Sequence, residues 1–169
     1  MSAPTRIVDL ARRTPGVGPL LGEDDAVVLA QAGALAGLLW PGRGRWPLPG
    51  PVRALARTAL TAGVAFGIAA GARHGTRLTP SVHPHTEGSL ITDGLYSVSR
   101  NPIYAGLLVG GAGWAVLRRR TEPLLAWIAL LTALVVKVRK EERHLHDRFG
   151  HRYTDYRRRT PRFIGTVRR

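Results

Sequence analysis

The chain contains no cysteine. That excludes disulfides, thiolate metal sites and a cysteine nucleophile, and it leaves the redox compartment unread. Acidic residues are scarce, with 11 Asp and Glu against 25 Lys and Arg in 169 residues, a formal net charge of +14. The imbalance points to anionic partners: nucleic acid, phosphate-bearing ligands or the anionic leaflet of a membrane. No Ser/His/Asp order, Walker loop or Rossmann glycine fingerprint occurs, and "GVGPLLG" near the start follows no strand pattern. Also missing is any uncharged apolar run of the roughly 20 residues that a membrane-spanning helix needs.

Four shorter runs are present instead. Residues 26–40, 58–72, 102–117 and 123–136 hold no Asp, Glu, Lys or Arg, and each is flanked by charge. The mean hydropathy of -0.04 averages these runs with very basic connectors. At 14 to 16 residues they give roughly 21 to 24 Å of helix, against a hydrocarbon core of about 30 Å. A soluble amphipathic helix, however, shows a polar residue every three or four positions, and "PIYAGLLVGGAGWAVL" and "PLLAWIALLTALVV" show no such stripe. The composition therefore favours lipid, with snorkelling arginines and interfacial Trp40, Trp46, Trp114 and Trp127 making up the missing length. Glycines four apart (Gly33 and Gly37, Gly63 and Gly67, Gly67 and Gly71, Gly106 and Gly110) allow close helix packing, within or between chains.

One domain over 1–169 is expected. The first 25 residues hold Arg6, Arg12 and Arg13 without an apolar core, which does not fit a cleaved signal peptide, so the first run is expected to stay as an anchor. Residues 41–53 and 73–101 read as connectors, and "RRRTE" at 118–122 as a tight turn joining the last two runs in a hairpin. The final run has no stop signal at Val136 and continues with good helix formers to Gly150, a C′ residue. From Lys137 onward there are 12 Lys and Arg against four Asp and Glu, which by the positive-inside rule places the tail in the cytoplasm. The same rule pulls Arg118–Arg120 to that side too, so the hairpin is expected to be short, tilted or only partly inserted. Tyr153, Tyr156, Pro161 and Phe163 in the tail argue for order rather than a loose basic arm for nucleic acid.

Three places carry polar chemistry. In "GLYSVSRNPIYAG", Asn101 suits an N-cap and Pro102 a first helical turn, which sets free N–H groups and Arg100 at the edge of an apolar helix. Glu141 and Glu142 lie where the last helix leaves its apolar stretch. Pairing with Lys137 and His146 at i,i+4 accounts for them as surface charges, and binding a ribose hydroxyl or an ammonium accounts for them as a site. His83 and His85 in "SVHPHTE" form a weak metal set, and no metal is expected.

"GLYSVSRNPIYAG", a helical hairpin, "EERHL" and "FGHRYTDYRRRTPRFI" together resemble the integral-membrane methyltransferases typified by isoprenylcysteine carboxyl methyltransferase, with phospholipid N-methyltransferases as relatives. The resemblance covers roughly residues 90–164. It implies an all-α integral membrane protein of four to five helices, with N-terminal membrane helices in 1–75 and a methyltransferase-like region in 76–169. A cytoplasmic cap, formed by the connector, hairpin and tail, would bind S-adenosylmethionine. Carried over, Gly88, Ser89, Leu90, Ile91, Tyr96, Asn101, Pro102, Ile103, Tyr104, Glu141 and Glu142 hold the cofactor, Arg100 and Glu141 are catalytic, and Lys137 and Arg100 meet the substrate. Membrane lipids, anionic ones especially, are the other expected partners, and nucleic acid is not. Asn101 stands where the family has histidine, which removes a titratable ring, and Lys137 where it has arginine, which replaces a planar fork with a point charge. Two rivals remain at this point: a sterol-type reductase using NADPH, whose Arg-Asp-Glu arrangement is here "RKEERHL", and a non-enzymatic basic anchor.

Overall fold

Proline and glycine punctuate the helices. The computed structural model describes residues 23–72 and 90–165, which form α1 (Glu23–Leu38), α2 (Gly50–Ala72), α3 (Leu95–Val98), α4 (Pro102–Leu117), α5 (Thr121–Phe149) and α6 (His151–Arg159), with no strand among the described residues. Pro102 opens α4 at its first position. α5 runs past Val136 without a break and ends where Gly150 takes a φ of 52°, a left-handed conformation that suits glycine, so that α6 leaves in a new direction. α2 starts earlier than the charge pattern suggests. Its first turn takes Pro51, and it carries the exposed Arg53, expected in the connector, inside the helix together with the exposed Arg57.

α4 packs chiefly on α2, not on its hairpin partner α5, and α5 packs chiefly on α1. The reason lies in the glycines. Gly106, Gly110 and Gly113 face Gly63, Gly67, Leu60 and Ala56 in antiparallel order, close enough that a Cβ on Gly106 would lie 2.6 Å from Gly63 O and from Gly67 N. Backbone touches backbone along this seam, so the glycine pairs at 63/67 and 106/110 act within one chain. Larger side chains fill the other side of α4, where Ala34, Leu38, Leu108, Ala115, Leu130 and Leu134 form the core. Two indoles tie it together, Trp114 Nε1 donating to Leu38 O and Trp127 Nε1 to Leu108 O, both at 2.9 Å.

The bundle has two polar ends. At one, the 118–120 turn grips the α1–α2 connector: Arg118 Nη2 donates to Trp40 O (2.8 Å), Arg119 Nε to Trp46 O (2.6 Å) and Arg120 Nη1 to Pro41 O (2.8 Å). At the other end lie the loop before α4, the charged half of α5, α6 and the residues that follow it. α2 and α5 are long and apolar enough to cross a membrane, whereas the apolar lengths of α1 and α4 are shorter.

Candidate active site

The two adjacent glutamates of α5 point to different neighbours, because successive helical residues are about 100° apart. Glu142 is buried. Its Oε1 accepts from Arg100 Nη2 (2.8 Å) and Nε (3.1 Å), and its Oε2 from Arg162 Nη2 (2.6 Å). One carboxylate therefore joins the loop before α4 to the chain after α6. The loop and tail are knitted further: Arg100 Nη1 donates to Thr160 O (2.9 Å) and Arg157 O (3.0 Å), Arg100 N to Pro161 O (2.9 Å), and Tyr156 Oη to Tyr96 O (2.6 Å). The Arg162 guanidinium is pushed above its ordinary pKa, chiefly by its hydrogen bonds to Glu142.

Glu141 turns the other way. Tyr104 Oη donates to its Oε1 at 3.0 Å, and the Lys137 ammonium sits 5.7 Å from the centre of the Tyr104 ring. Lys137 is buried despite its charge, which places a cation, a carboxylate and a phenol together where the apolar part of α5 ends. Burial first, then the Glu141 charge, push the Tyr96 hydroxyl up to about 12, so it stays protonated at neutral pH and serves as a donor rather than a base.

The expected site residues thus divide. Tyr104, Glu141 and Lys137 come together, with Tyr96 close enough to feel the Glu141 charge. Arg100 and Glu142 meet each other instead, and the i,i+4 pairing considered for Glu142 gives way to two arginines from distant segments. Asn101 holds the N-cap position of α4, yet its side chain makes no cap; Nδ2 donates to Arg162 O at 3.0 Å and so secures the tail. Pro102 is buried and Ile103 half-buried, with Ile103 O on the α2 side near Gly67. Leu90 and Ile91 are half-buried at the start of their segment, while Gly88, Ser89, His83 and His85 lie outside the described residues.

Sequence reasoning missed Arg162, Thr160 and Ser99, whose Oγ donates to Arg162 O at 3.3 Å. The available signal was the pair Tyr153 and Tyr156, apolar rings three apart in an otherwise basic helix, which implies that α6 has a buried face. Both tyrosines are buried, edge to face with 6.2 Å between ring centres. The Tyr153 hydroxyl is buried with no hydrogen-bond partner among the described residues, and burial pushes it up to about 12. Tyr153→Phe removes that unpaired group while keeping the ring, so it is expected to raise stability by about 1 kcal/mol, read as a higher thermal midpoint.

Several apolar helices, two of them long enough to cross a membrane, make an all-α fold in which a loop, the charged half of a long helix and a docked tail meet at one end. A family model for phospholipid methyltransferases matches residues 52–152, more than half of the chain. The protein belongs to that family. It is a methyltransferase that uses S-adenosylmethionine and acts on a lipophilic substrate near the membrane. No curated protein and no solved structure matches the chain. The matched region holds Arg100, Lys137, Glu141 and Glu142; Arg162 lies beyond it.

Proposed function

We propose that S-adenosylmethionine binds at the capped end against Tyr104, Glu141 and Tyr96, and that the lipophilic acceptor reaches it from the hydrocarbon side of α4 and α5. The donor set fits such a group: a half-buried carboxylate for an ammonium or ribose hydroxyls, and neutral phenols for hydrogen bonding and ring contact. When bound, S-adenosylmethionine would supply a sulfonium methyl group whose carbon an in-line nucleophile attacks, the C–S bond breaking as the sulfur leaves as a neutral thioether. Glu141 then fixes the cofactor, and Tyr104 holds the Glu141 side chain in place. Asn101, Pro102, Ile103, Leu90 and Ile91 form the remaining lining, and buried Lys137 meets an anionic group of the acceptor. Arg100 and Glu142 serve as positioning residues, holding the tail over the site so that water is excluded and the reactants stay aligned.

Both α2 and α5 cross the membrane in this reading, and α1 and α4 complete a multi-pass bundle. The cap and basic tail face the cytoplasm, where the exposed Arg157, Arg158 and Arg159 of α6 attract anionic lipid.

The observation that carries the proposal is the grouping of Tyr104, Glu141 and Lys137 at the boundary of the apolar layer. Calorimetry on detergent-purified protein checks it. S-adenosylmethionine is expected to bind at micromolar concentration and to lose at least about tenfold in affinity in Glu141→Ala, as befits a charge-assisted hydrogen bond. Tyr104→Phe is expected to cost less, about fivefold. Unchanged affinity in Glu141→Ala places the cofactor elsewhere.

A further inference from the structure

Helix length alone assigns α2 and α5 to an ordinary bilayer, since 23 and 29 residues make about 35 and 44 Å of helix. The charges along the helices say otherwise. On α4 the uncharged stretch between Arg100 and Arg118 contains the 16 helical residues Pro102–Leu117, about 24 Å. On α5 the stretch between Glu122 and Lys137 is 14 residues, about 21 Å. Free arginine and lysine stems would extend such a belt by reaching outward to the headgroups. Here the stems are tied down. Arg118, Arg119 and Arg120 donate to carbonyls of the connector at Trp40, Trp46 and Pro41, and Arg120 also binds Glu122 at 2.9 Å. At the other end Arg100 is locked on Glu142, and Lys137 is only 2% exposed. Within the belt, Val64, Ile68, Leu125 and Ile128 are exposed apolar side chains facing outward, as lipid contact requires.

We infer that this protein is built for a hydrocarbon layer about 22 Å thick, roughly 8 Å thinner than an ordinary bilayer, and that it thins the surrounding lipid where the membrane is thicker. The tethered arginines set the width, because their heads cannot move outward without giving up the bonds that close the connector. This inference rests on the membrane-crossing reading above but not on the site or the reaction.

The test reconstitutes the full chain into phosphatidylcholine vesicles with myristoleoyl, oleoyl or erucoyl chains, separates vesicle-bound protein by flotation, and follows unfolding by tryptophan fluorescence. The thermal midpoint is expected to be highest in the short myristoleoyl lipid, by at least about 5 °C over erucoyl. Lamellar X-ray diffraction of oleoyl stacks is expected to show the headgroup separation shrinking as protein content rises. Flotation with equal midpoints in all three lipids, or a maximum in the longer ones, overturns the inference while leaving the membrane reading intact. So does an unchanged headgroup separation. Protein that fails to float overturns both.

Discussion

Glu142→Ala is expected to release the tail from the cap. The carboxylate is the common acceptor for Arg100 and Arg162, and its side chain is 8% exposed, as is that of Arg100. Removing one partner of a buried ion pair costs about 3–5 kcal/mol, because the remaining charge stays desolvated without compensation. Arg100 would keep its bonds to Arg157 O and Thr160 O, but Arg162 would lose its carboxylate altogether. The expected result is a lower thermal midpoint, faster tryptic cutting at Arg157–Arg159 and at least about a 100-fold loss of methyl transfer, the scale of effect when reactants are misplaced by an ångström. Glu142→Gln keeps the shape and one acceptor, and should fall between. Wild-type protease resistance in Glu142→Ala would falsify the role of Glu142 as the tail's anchor.

The second large effect is expected at the seam between α2 and α4. In Gly106→Leu even the first carbon of the new side chain meets Gly63 O and Gly67 N at 2.6 Å, and Gly67 Cα at 2.8 Å. These are backbone atoms of a helix and have no rotamer to move into. Overpacking that flexible side chains absorb costs about 1–3 kcal/mol, and the rigid case lies at or above the upper end. Gly106→Leu should therefore fail to accumulate as folded protein, or melt far below the wild type in the same detergent. Two controls separate this from a general intolerance of substitution. Gly67→Ala meets nothing closer than 3.7 Å and should be tolerated, and Gly33→Ala meets nothing within 4 Å and should stabilise α1 by up to about 1 kcal/mol through helix propensity. Equal stability of Gly106→Leu and Gly67→Ala would mean that the seam is not in close contact.

Much of the local structure was legible in advance, because it depends on neighbours in the chain. Pro102 fixes a φ that starts a helix, Gly150 adopts the left-handed turn that ends one, and the uncharged stretches mark the apolar helices. Charge and proline extend the connector to residue 53, whereas Gly50 to Arg53 belong to α2, because the exposed Arg53 in its first turn resembles a connector residue. The capping role of Asn101 was also misread. A side-chain amide oxygen beside a helix start has backbone N–H groups within reach, but Asn101 makes no such cap, and its Nδ2 donates instead to Arg162 O, 61 residues away.

The site shows the same division. Motif order singled out Tyr104, Lys137, Glu141, Glu142 and Arg100, and the family match to residues 52–152 supports the activity those motifs imply. Nothing in the order of residues said which glutamate would meet which partner. Two adjacent positions on a helix face different directions, and the outcome depended on the path of the tail, which brings Arg162 to Glu142 and leaves Tyr104 for Glu141.

The sequence by itself determined the helices, the charge that bounds them and the chemical class of the cap, because turn chemistry, periodicity and residue type act over a few neighbouring positions. Only the tertiary structure decided that α4 packs on α2, that the arginine triplet closes a connector instead of reaching outward, and that the glutamate pair divides, Glu142 to two arginines and Glu141 to Tyr104. Those choices join residues dozens of positions apart, and they are settled by which surfaces fit once the helices meet.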